Sequence, residues 1–347
     1  MTANSIYLDH AATTPLLPAA REAMAFGFDI WANPSSPHRA GRAARAALED
    51  ARARVKAALG WKGEVIFTSG ASEALSLAIS RSINPLVAVS EVEHEAVLRL
   101  AGNAVRLPCD GAGLLDPEAR ALAGLVAVQH ANNETGVIQP ISQMAQAVRS
   151  AGGLLLADCA QTAGKLPLPD ADLIAISAHK FGGPIGIGAL LVRDWGLLHP
   201  TGGQERGYRG GTENMPGALG MVAALEAGSD WLGEAVRLRG KLDAAIVAVG
   251  GEVVAAASPR IASIAAYRMP GMSASAQLIR FDGMNIAVSA GSACSSGSLK
   301  TSHVLDAMGY QAASEVIRVS IGRETTSEEI DRFIAAWTSL AKGRAAA

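Results

Sequence analysis

The sequence predicts an α/β protein built on a mainly parallel β-sheet that helices cover on both faces. Three observations carry this prediction. Short apolar runs alternate with helical stretches along the first two thirds of the chain. These runs are apolar throughout, as expected for strands that are buried on both faces. Polar side chains follow directly after the runs, at the sheet edge where parallel strands form ligand sites.

The elements of the first two thirds follow from this alternation. Strands are predicted over 64–68, 86–89, 125–129, 154–157, 173–177 and 188–192. Helices are predicted after them over 71–80, from about 94, and over 141–151.

The pattern changes in the last third of the chain. A long helix is expected from about 215 to 239, followed by an α+β region with strands over 261–267 and 286–289 and a last helix over 327–341. We therefore expect two domains, a large one over 13–232 and a smaller one made of 1–12 and 233–347.

Composition excludes several classes of protein. The length of 347 residues fits two associated domains, and a net charge of −2 gives no reason to expect nucleic acid or an acidic membrane as a partner. No apolar run is long enough to span a bilayer, and residues 1–10 lack the pattern of a signal peptide. The three cysteines are too far apart for a disulfide framework, so we expect a cytoplasmic protein.

Two charged residues end apolar runs at the same predicted edge. Lys180 can form a Schiff base with an aldehyde cofactor, although a surface position is the commoner fate of any single lysine. Asp158 directly follows the run over 154–157. Such a carboxylate can keep the pyridinium nitrogen of pyridoxal phosphate protonated, whereas taken alone it is equally well a helix cap or a loop acid.

A glycine turn at Gly70 leads into a predicted helix and offers an anion site. Free N–H groups at a helix start, here at Ala71 and Ser72, attract phosphate, and the Ser72 hydroxyl adds a donor. An ordinary helix cap is the alternative, and both interpretations can hold together. Ser177 and His179 flank the strand end before Lys180 and can donate to the same phosphate.

His94 and Cys294 are candidates for reactions with the substrate. His94 begins a predicted helix, where an imidazole can stack on a cofactor ring or exchange protons, although an exposed helix-start histidine is the simpler interpretation. Cys294 lies in a small, polar, Gly-rich stretch that predicts a mobile loop exposing a nucleophilic thiol, whereas Cys109 and Cys159 have apolar surroundings. No second Cys or His lies at ligand spacing, so no metal site is expected.

Arg318 alternates with apolar neighbours on a predicted strand. An arginine that points inward needs an anionic partner, which is either a substrate carboxylate or a structural ion pair. The run over 202–212 is unusually rich in glycine and basic residues, which suits close approach to a phosphate or a carboxylate.

Seven motifs extend over nearly the whole chain. They are YLDHAATTP at 7–15, NPSS at 33–36 with His38, FTSGASE at 67–73, HANNETG at 130–136, SAHK at 177–180, RGYRGGT at 206–212 and GSAC at 291–294. Through this combination the chain resembles the cysteine desulfurases of the NifS/IscS type. These are class-V members of the fold-type-I pyridoxal-phosphate enzymes, so the resemblance implies that fold and pyridoxal 5′-phosphate as cofactor.

The resemblance implies a role for each cofactor residue. Lys180 would be the Schiff-base lysine, Asp158 the partner of the pyridinium nitrogen, and Gln161 a hydrogen-bond partner of the phenolic oxygen. His94 would stack on the ring and act in catalysis. The phosphate would be held by four residues, which are Ala71, Ser72, Ser177 and His179. Thr212 would reach the phosphate of a neighbouring subunit, which implies a homodimer.

The resemblance also implies the reaction. Asn133 and Arg318 would bind the substrate L-cysteine, and Cys294 would receive its sulfur as a persulfide while L-alanine is released. The sulfur would pass to an acceptor protein, a scaffold or a carrier, for iron–sulfur clusters or other sulfur compounds. Selenocysteine lyase, a class-V aminotransferase and a non-catalytic sulfur-carrier or regulatory protein are the alternatives. Lys180 and Cys294 together argue against the last of these.

Overall fold

The computed structural model describes residues 5–117, 122–291 and 302–345. Its strands are β1 (Ile6–Tyr7), β2 (Glu64–Thr68), β3 (Leu86–Ser90), β4 (Val105–Leu107), β5 (Leu125–Gln129), β6 (Leu154–Asp158), β7 (Leu173–Ser177), β8 (Gly188–Val192), β9 (Glu252–Val253), β10 (Ile264–Arg268), β11 (Ile286–Ala287) and β12 (Val316–Ser320). Its helices are α1 (Pro18–Asp29), α2 (Arg39–Leu59), α3 (Ala71–Arg81), α4 (Glu95–Leu98), α5 (Ile141–Ser150), α6 (Met215–Glu226), α7 (Leu232–Ala248), α8 (Ala274–Asp282), α9 (His303–Ala307) and α10 (Ser327–Ala345).

A seven-stranded sheet forms the centre of the molecule. Its strand order is β2-β8-β7-β6-β5-β3-β4. Strand β8 runs antiparallel to both of its neighbours, and the other neighbouring pairs are parallel. The prediction of a mainly parallel sheet is therefore confirmed. The carboxyl ends of β3, β5, β6 and β7 consequently open onto one edge, which positions the polar residues that follow them.

Helices bury both faces of this sheet. On one face, α1, α2, α5 and α6 pack over a core that contains Leu48, Phe67 and Met221. On the other face, α3 covers a second core that contains Leu75 and Leu156. The strands are buried on both sides, which explains why their sequences are apolar throughout. No helix within the described ranges is long and apolar enough to cross a membrane.

The last third of the chain forms smaller sheets around its own core. Strand β10 pairs antiparallel with β12 and β9, while β1 pairs parallel with β11. Ile6 from the start of the chain packs with Phe281, Phe333 and Trp337 in this core. The predicted α+β character of the region is confirmed, whereas the domain boundary at 232 stays a prediction.

The prediction of one long helix over 215–239 is wrong. Helix α6 ends at Glu226 and α7 begins at Leu232, because Gly228 takes a left-handed conformation with φ of 75°. Arg323 donates hydrogen bonds to the carbonyl oxygens of Ala227 and Gly228, at 3.0 and 2.5 Å, and so satisfies groups that the helix end leaves unpaired.

Candidate active site

A cavity of about 800 Å³ lies at the carboxyl ends of the central strands. Ten of the predicted site residues line it, namely Ala71, Ser72, His94, Asn133, Asp158, Gln161, Ser177, His179, Lys180 and Arg318. Thr212 is exposed on the Gly-rich loop and does not line the cavity of the single chain. Cys294 lies outside the described residues.

Lys180 ends a short 3-10 turn that follows β7 directly. Its Nζ donates hydrogen bonds to the carbonyl oxygens of Ala11 and Ala12, at 2.7 and 2.8 Å. Burial, aided by the charge of Arg318, lowers the pKa of Lys180 from 10.5 to about 8, although Asp158 and Asp9 oppose this shift. The amine is therefore neutral, and nucleophilic, far more often than an ordinary lysine at neutral pH.

Asp158 is the last residue of β6, and its carboxylate lies buried at the cavity floor. Its Oδ1 accepts a hydrogen bond from the N–H of Ala160 at 2.9 Å. Burial raises the pKa of Asp158, while this hydrogen bond and the charges of His94 and Lys180 act in the opposite direction.

Glu93 is a second buried acid that the sequence analysis did not single out. Its Oε1 accepts from the N–H of Gln129 at 2.6 Å, while Oε2 has no partner among the described residues. Burial, with the charge of Asp158, raises the pKa of Glu93 well above its ordinary value. Burial and the neighbouring charge of Asp158 therefore both favour the neutral form of Glu93.

The start of α3 forms a cradle at the cavity wall. Gly70 offers no side chain to cap this helix, so the first-turn N–H groups face the cavity edge. A Cβ on Gly188 would lie 2.7 Å from Gly70 Cα and 2.4 Å from the carbonyl oxygen of Ile176, so only glycine fits there. The hydroxyl of Ser177 lies next to Gly70. A Cβ on Gly70 would be 3.5 Å from the Ser177 Oγ atom. The geometry fits an anion at this helix start.

The Gly-rich loop over 202–212 is anchored by a buried ion pair. Glu205 accepts hydrogen bonds from both terminal nitrogens of Arg52, at 2.7 and 3.1 Å, and from the N–H of Phe67 at 2.9 Å. Arg209 in the same loop donates to Glu73 in α3 at 2.8 Å. These contacts hold the loop beside the anion cradle.

Arg318 points into the cavity from β12. Its Nη2 contacts Asp9 Oδ1 at 2.7 Å, and its Nη1 donates to the carbonyl oxygen of Asn133 at 3.0 Å. The structural ion pair considered as an alternative is therefore present. The buried Nε of Arg318 has no partner among the described residues, which leaves the guanidinium a donor for a further anion.

His94 and Gln161 lie at the cavity wall with fixed hydrogen bonds. His94 caps α4, because its Nδ1 accepts from the N–H of Ala96 at 3.1 Å. Desolvation lowers the pKa of His94, so the ring is neutral and carries its hydrogen on Nε2. The Nε2 of Gln161 donates to the carbonyl oxygen of Ala11 at 2.9 Å, and its buried Oε1 has no partner among the described residues.

The two described cysteines are poor nucleophiles. Cys159 is buried and Cys109 is half-buried. Burial raises the pKa of the Cys109 thiol to about 11 and raises that of Cys159 still further. Neither thiol ionises appreciably at neutral pH, which agrees with their prediction as packing residues.

His303, which the sequence analysis also missed, lines the cavity from the start of α9. Its Nε2 lies 2.9 Å from the carbonyl oxygen of Glu93. His303 stands in an apolar segment and could not be predicted from the sequence. Its contact is with Glu93, which lies 210 positions earlier in the chain.

Comparisons with known proteins agree with this geometry. Residues 6–333 match the class-V aminotransferase family. A protein named cysteine desulfurase from Cereibacter sphaeroides is 38% identical over 95% of this chain and 94% of its own length. The solved structure of a NifS-like protein from Rickettsia africae superposes with a TM-score of 0.88 at 29% identity, covering 97% of this chain and 99% of that one.

A third comparison concerns a ligand complex. The structure titled SspA in complex with cysteine superposes with a TM-score of 0.79 at 28% identity, and covers 93% of this chain and 100% of that one. Sequence and fold thus agree over nearly the full length of both chains. The chain belongs to the class-V aminotransferase family, within its group of cysteine desulfurases.

Proposed function

We propose that this protein is a pyridoxal-phosphate-dependent cysteine desulfurase. It converts L-cysteine to L-alanine and takes up the sulfur on Cys294 as a persulfide. The observation that carries the proposal is the meeting of Lys180, Asp158 and the uncapped start of α3 in one cavity. An amine, a buried carboxylate and an anion cradle are the three groups that this cofactor needs from a protein.

The described residues fit the cofactor. A side chain on Gly188 would meet the backbone of Gly70 and Ile176, so the close packing behind the cradle requires glycine at that position. Asp158 lines the cavity with one oxygen engaged by Ala160, and the buried Oε1 of Gln161, a hydrogen-bond acceptor, has no partner among the described residues. The four phosphate residues that the resemblance names lie at this end of the cavity. We therefore assign the cofactor contacts to them and to Lys180.

The residues of this chain divide the chemistry between them. When bound, the cofactor withdraws electrons from the substrate carbon that loses a proton. The negative charge of Asp158 keeps the nitrogen of the cofactor ring protonated. Lys180, whose pKa is lowered to about 8, accepts the Cα proton and returns it to the same carbon.

The substrate contacts and the sulfur step complete the proposal. Arg318 binds the carboxylate of L-cysteine through its free Nε. Asn133 lies beside Arg318, which donates a hydrogen bond to the Asn133 carbonyl oxygen. Cys294 attacks the substrate sulfur as a thiolate, and the carbon–sulfur bond breaks to leave a persulfide. The persulfide then supplies an acceptor protein in the cytoplasm, for iron–sulfur clusters or other sulfur compounds.

Three variants test the assignment of Cys294. Cys294→Ser should still bind the cofactor and L-cysteine but form almost no alanine, because a hydroxyl is a far poorer nucleophile toward sulfur than a thiolate. Cys109→Ser and Cys159→Ser are the matched controls and should keep most activity, because burial holds both thiols protonated. Alanine is measured by chromatography, and mass spectrometry locates the added sulfur. Wild-type turnover by Cys294→Ser would refute the assignment, and equal tolerance of all three changes would favour an aminotransferase or a selenocysteine lyase.

We also propose a homodimer, in which Thr212 contacts the partner's phosphate. Phe28 on α1 is 65% exposed and Ile185, after β7, is 80% exposed. Met24 of α1 and Pro184 both pack against α6, since a Cβ on Gly220 would lie 2.6 Å from Met24 and 3.1 Å from Pro184. Large apolar side chains that are exposed near such a packed region are candidates for a protein interface.

Charge substitutions test the dimer. Phe28→Asp combined with Ile185→Asp should shift the protein from dimer to monomer in sedimentation, with loss of cofactor binding. Val236→Asp, which changes an equally exposed residue on α7, is the control and should leave the dimer intact. A fully active monomer of the wild type would refute the proposal.

A further inference from the structure

We infer that His303 is the base that removes the thiol proton from the substrate L-cysteine. The inference rests on the function proposed above, and adds to it a catalytic group in the described part of the cavity.

The tautomer of His303 follows from one contact. A carbonyl oxygen only accepts hydrogen bonds, so the ring nitrogen 2.9 Å from the Glu93 oxygen, Nε2, must carry the hydrogen. In the neutral ring, Nδ1 then holds the free lone pair, as in other histidines whose tautomer is set by a backbone carbonyl. His303 lines the cavity together with Gly291 and Ser289, at the end where the segment with Cys294 begins.

Four other basic groups of the cavity already have a partner or a role. The Nδ1 lone pair of His94 accepts from Ala96, so this neutral ring has no free acceptor. The carboxylate of Glu134 accepts from the hydroxyl of Ser302 at 2.5 Å, and burial raises its pKa. Asp158 would hold the ring nitrogen of the cofactor, and Lys180 would take the Cα proton. Among the described groups at this end of the cavity, His303 is left with an uncommitted lone pair.

The proposed step conserves atoms and charge. The S–H bond of the substrate breaks, an N–H bond forms at Nδ1, and a thiolate and an imidazolium result. When the carbon–sulfur bond breaks, the imidazolium returns this proton to the Cβ carbon, which becomes the methyl group of alanine. The Cys294 thiol gives its own proton to solvent on ionising, so the enzyme-bound persulfide is formed as an anion. His303 is neutral again at the end of the cycle.

Several titratable groups surround the ring. His94 lies near it in the turn after β3, Glu134 in the turn after β5, and Asp306 on its own helix. Glu93 supplies the carbonyl oxygen that the ring contacts. Variants for the test therefore leave these four residues unchanged.

The variant His303→Gln distinguishes a catalytic base from a residue whose ring only donates a hydrogen bond to Glu93. The glutamine Nε2 can replace the donor to the Glu93 oxygen, whereas it has no basic nitrogen. Only about 3% of free cysteine thiol is ionised at pH 7, so losing the base should lower kcat about 30-fold at that pH. At pH 9.5 about 90% of the free substrate is already a thiolate, so we expect the difference in kcat to shrink to about 1.1-fold.

The experiment uses the holoenzyme with L-cysteine and measures alanine between pH 6 and 9.5. His199→Gln, which changes an exposed histidine outside the cavity, is the control and should follow the wild type. If His303→Gln kept the wild-type pH profile, the inference would be overturned. A wild type that binds the cofactor but forms no alanine would refute the proposed function itself.

A second readout does not depend on activity. In protein labelled with 15N-histidine, the signal that is missing from His303→Gln identifies His303 among the seven histidines. We expect a hydrogen on Nε2 and a bare Nδ1 in the neutral ring. A hydrogen on Nδ1 would exclude His303 as the base, even if the variant were slow.

Discussion

The lowered pKa of Lys180 can be tested in the cofactor-free protein. Burial and the charge of Arg318 bring this pKa from 10.5 to about 8. At pH 7.5 about a quarter of such an amine is neutral, compared with about 0.1% of an ordinary lysine. The chain should therefore attach pyridoxal phosphate roughly 200-fold faster at this pH than an unperturbed lysine would.

The assay follows the visible absorbance band that forms when the aldehyde attaches covalently. The initial rate should rise with pH and level off above about pH 8, the pKa of Lys180. Arg318→Met removes a positive charge that lowers this pKa, so its inflection should move to higher pH. Arg280→Met changes an exposed arginine on α8 that does not line the cavity, and its profile should match the wild type.

Two results would refute this reasoning. A wild-type rate that keeps rising to pH 10 would show that the protein does not depress the pKa of Lys180. An unchanged inflection in Arg318→Met would show that the guanidinium charge is not one of the causes.

Two further predictions concern the anion cradle and the loop beside it. Glu205→Ala leaves Arg52 buried without its partner and should lower the free energy of unfolding in urea by about 4 kcal/mol. Arg54→Ala breaks an exposed ion pair with Glu226 and should cost about 1 kcal/mol or less, and equal costs would contradict the argument. Gly188→Ala places a Cβ against Gly70 and should weaken binding of pyridoxal phosphate in titrations about 10-fold or more, and unchanged affinity would show that the cradle adapts.

The large sheet could be predicted because its strands are buried on both faces. Each of the six strands predicted for this sheet agrees with the structure to within one residue. The edge strand β4 gave no such signal, since Val105 and Arg106 are exposed. The break between α6 and α7 was missed because Gly228 interrupts an otherwise continuous helical pattern, and glycine is tolerated within helices.

The candidate site was predictable where residues follow strands. Lys180 and Asp158 come together because the carboxyl ends of parallel strands share an edge. Hydrogen bonds that do not follow from this rule could not be predicted from periodicity. Examples are those from Lys180 to the carbonyl oxygen of Ala11 and from His303 to the carbonyl oxygen of Glu93. Such contacts depend on how parts of the chain that are far apart in sequence pack against each other.

The ion pair between Asp9 and Arg318 joins residues that are 309 positions apart. During synthesis the first of them leaves the ribosome long before the second has been added. The central sheet, which needs no strand beyond Val192, can form in that interval. The cavity gains its arginine only when β12 has emerged and paired with β10. A nascent chain therefore contains Lys180 at the ends of the central strands before it contains Arg318, so the wall of the cavity formed by the large sheet is complete before the wall formed by β12.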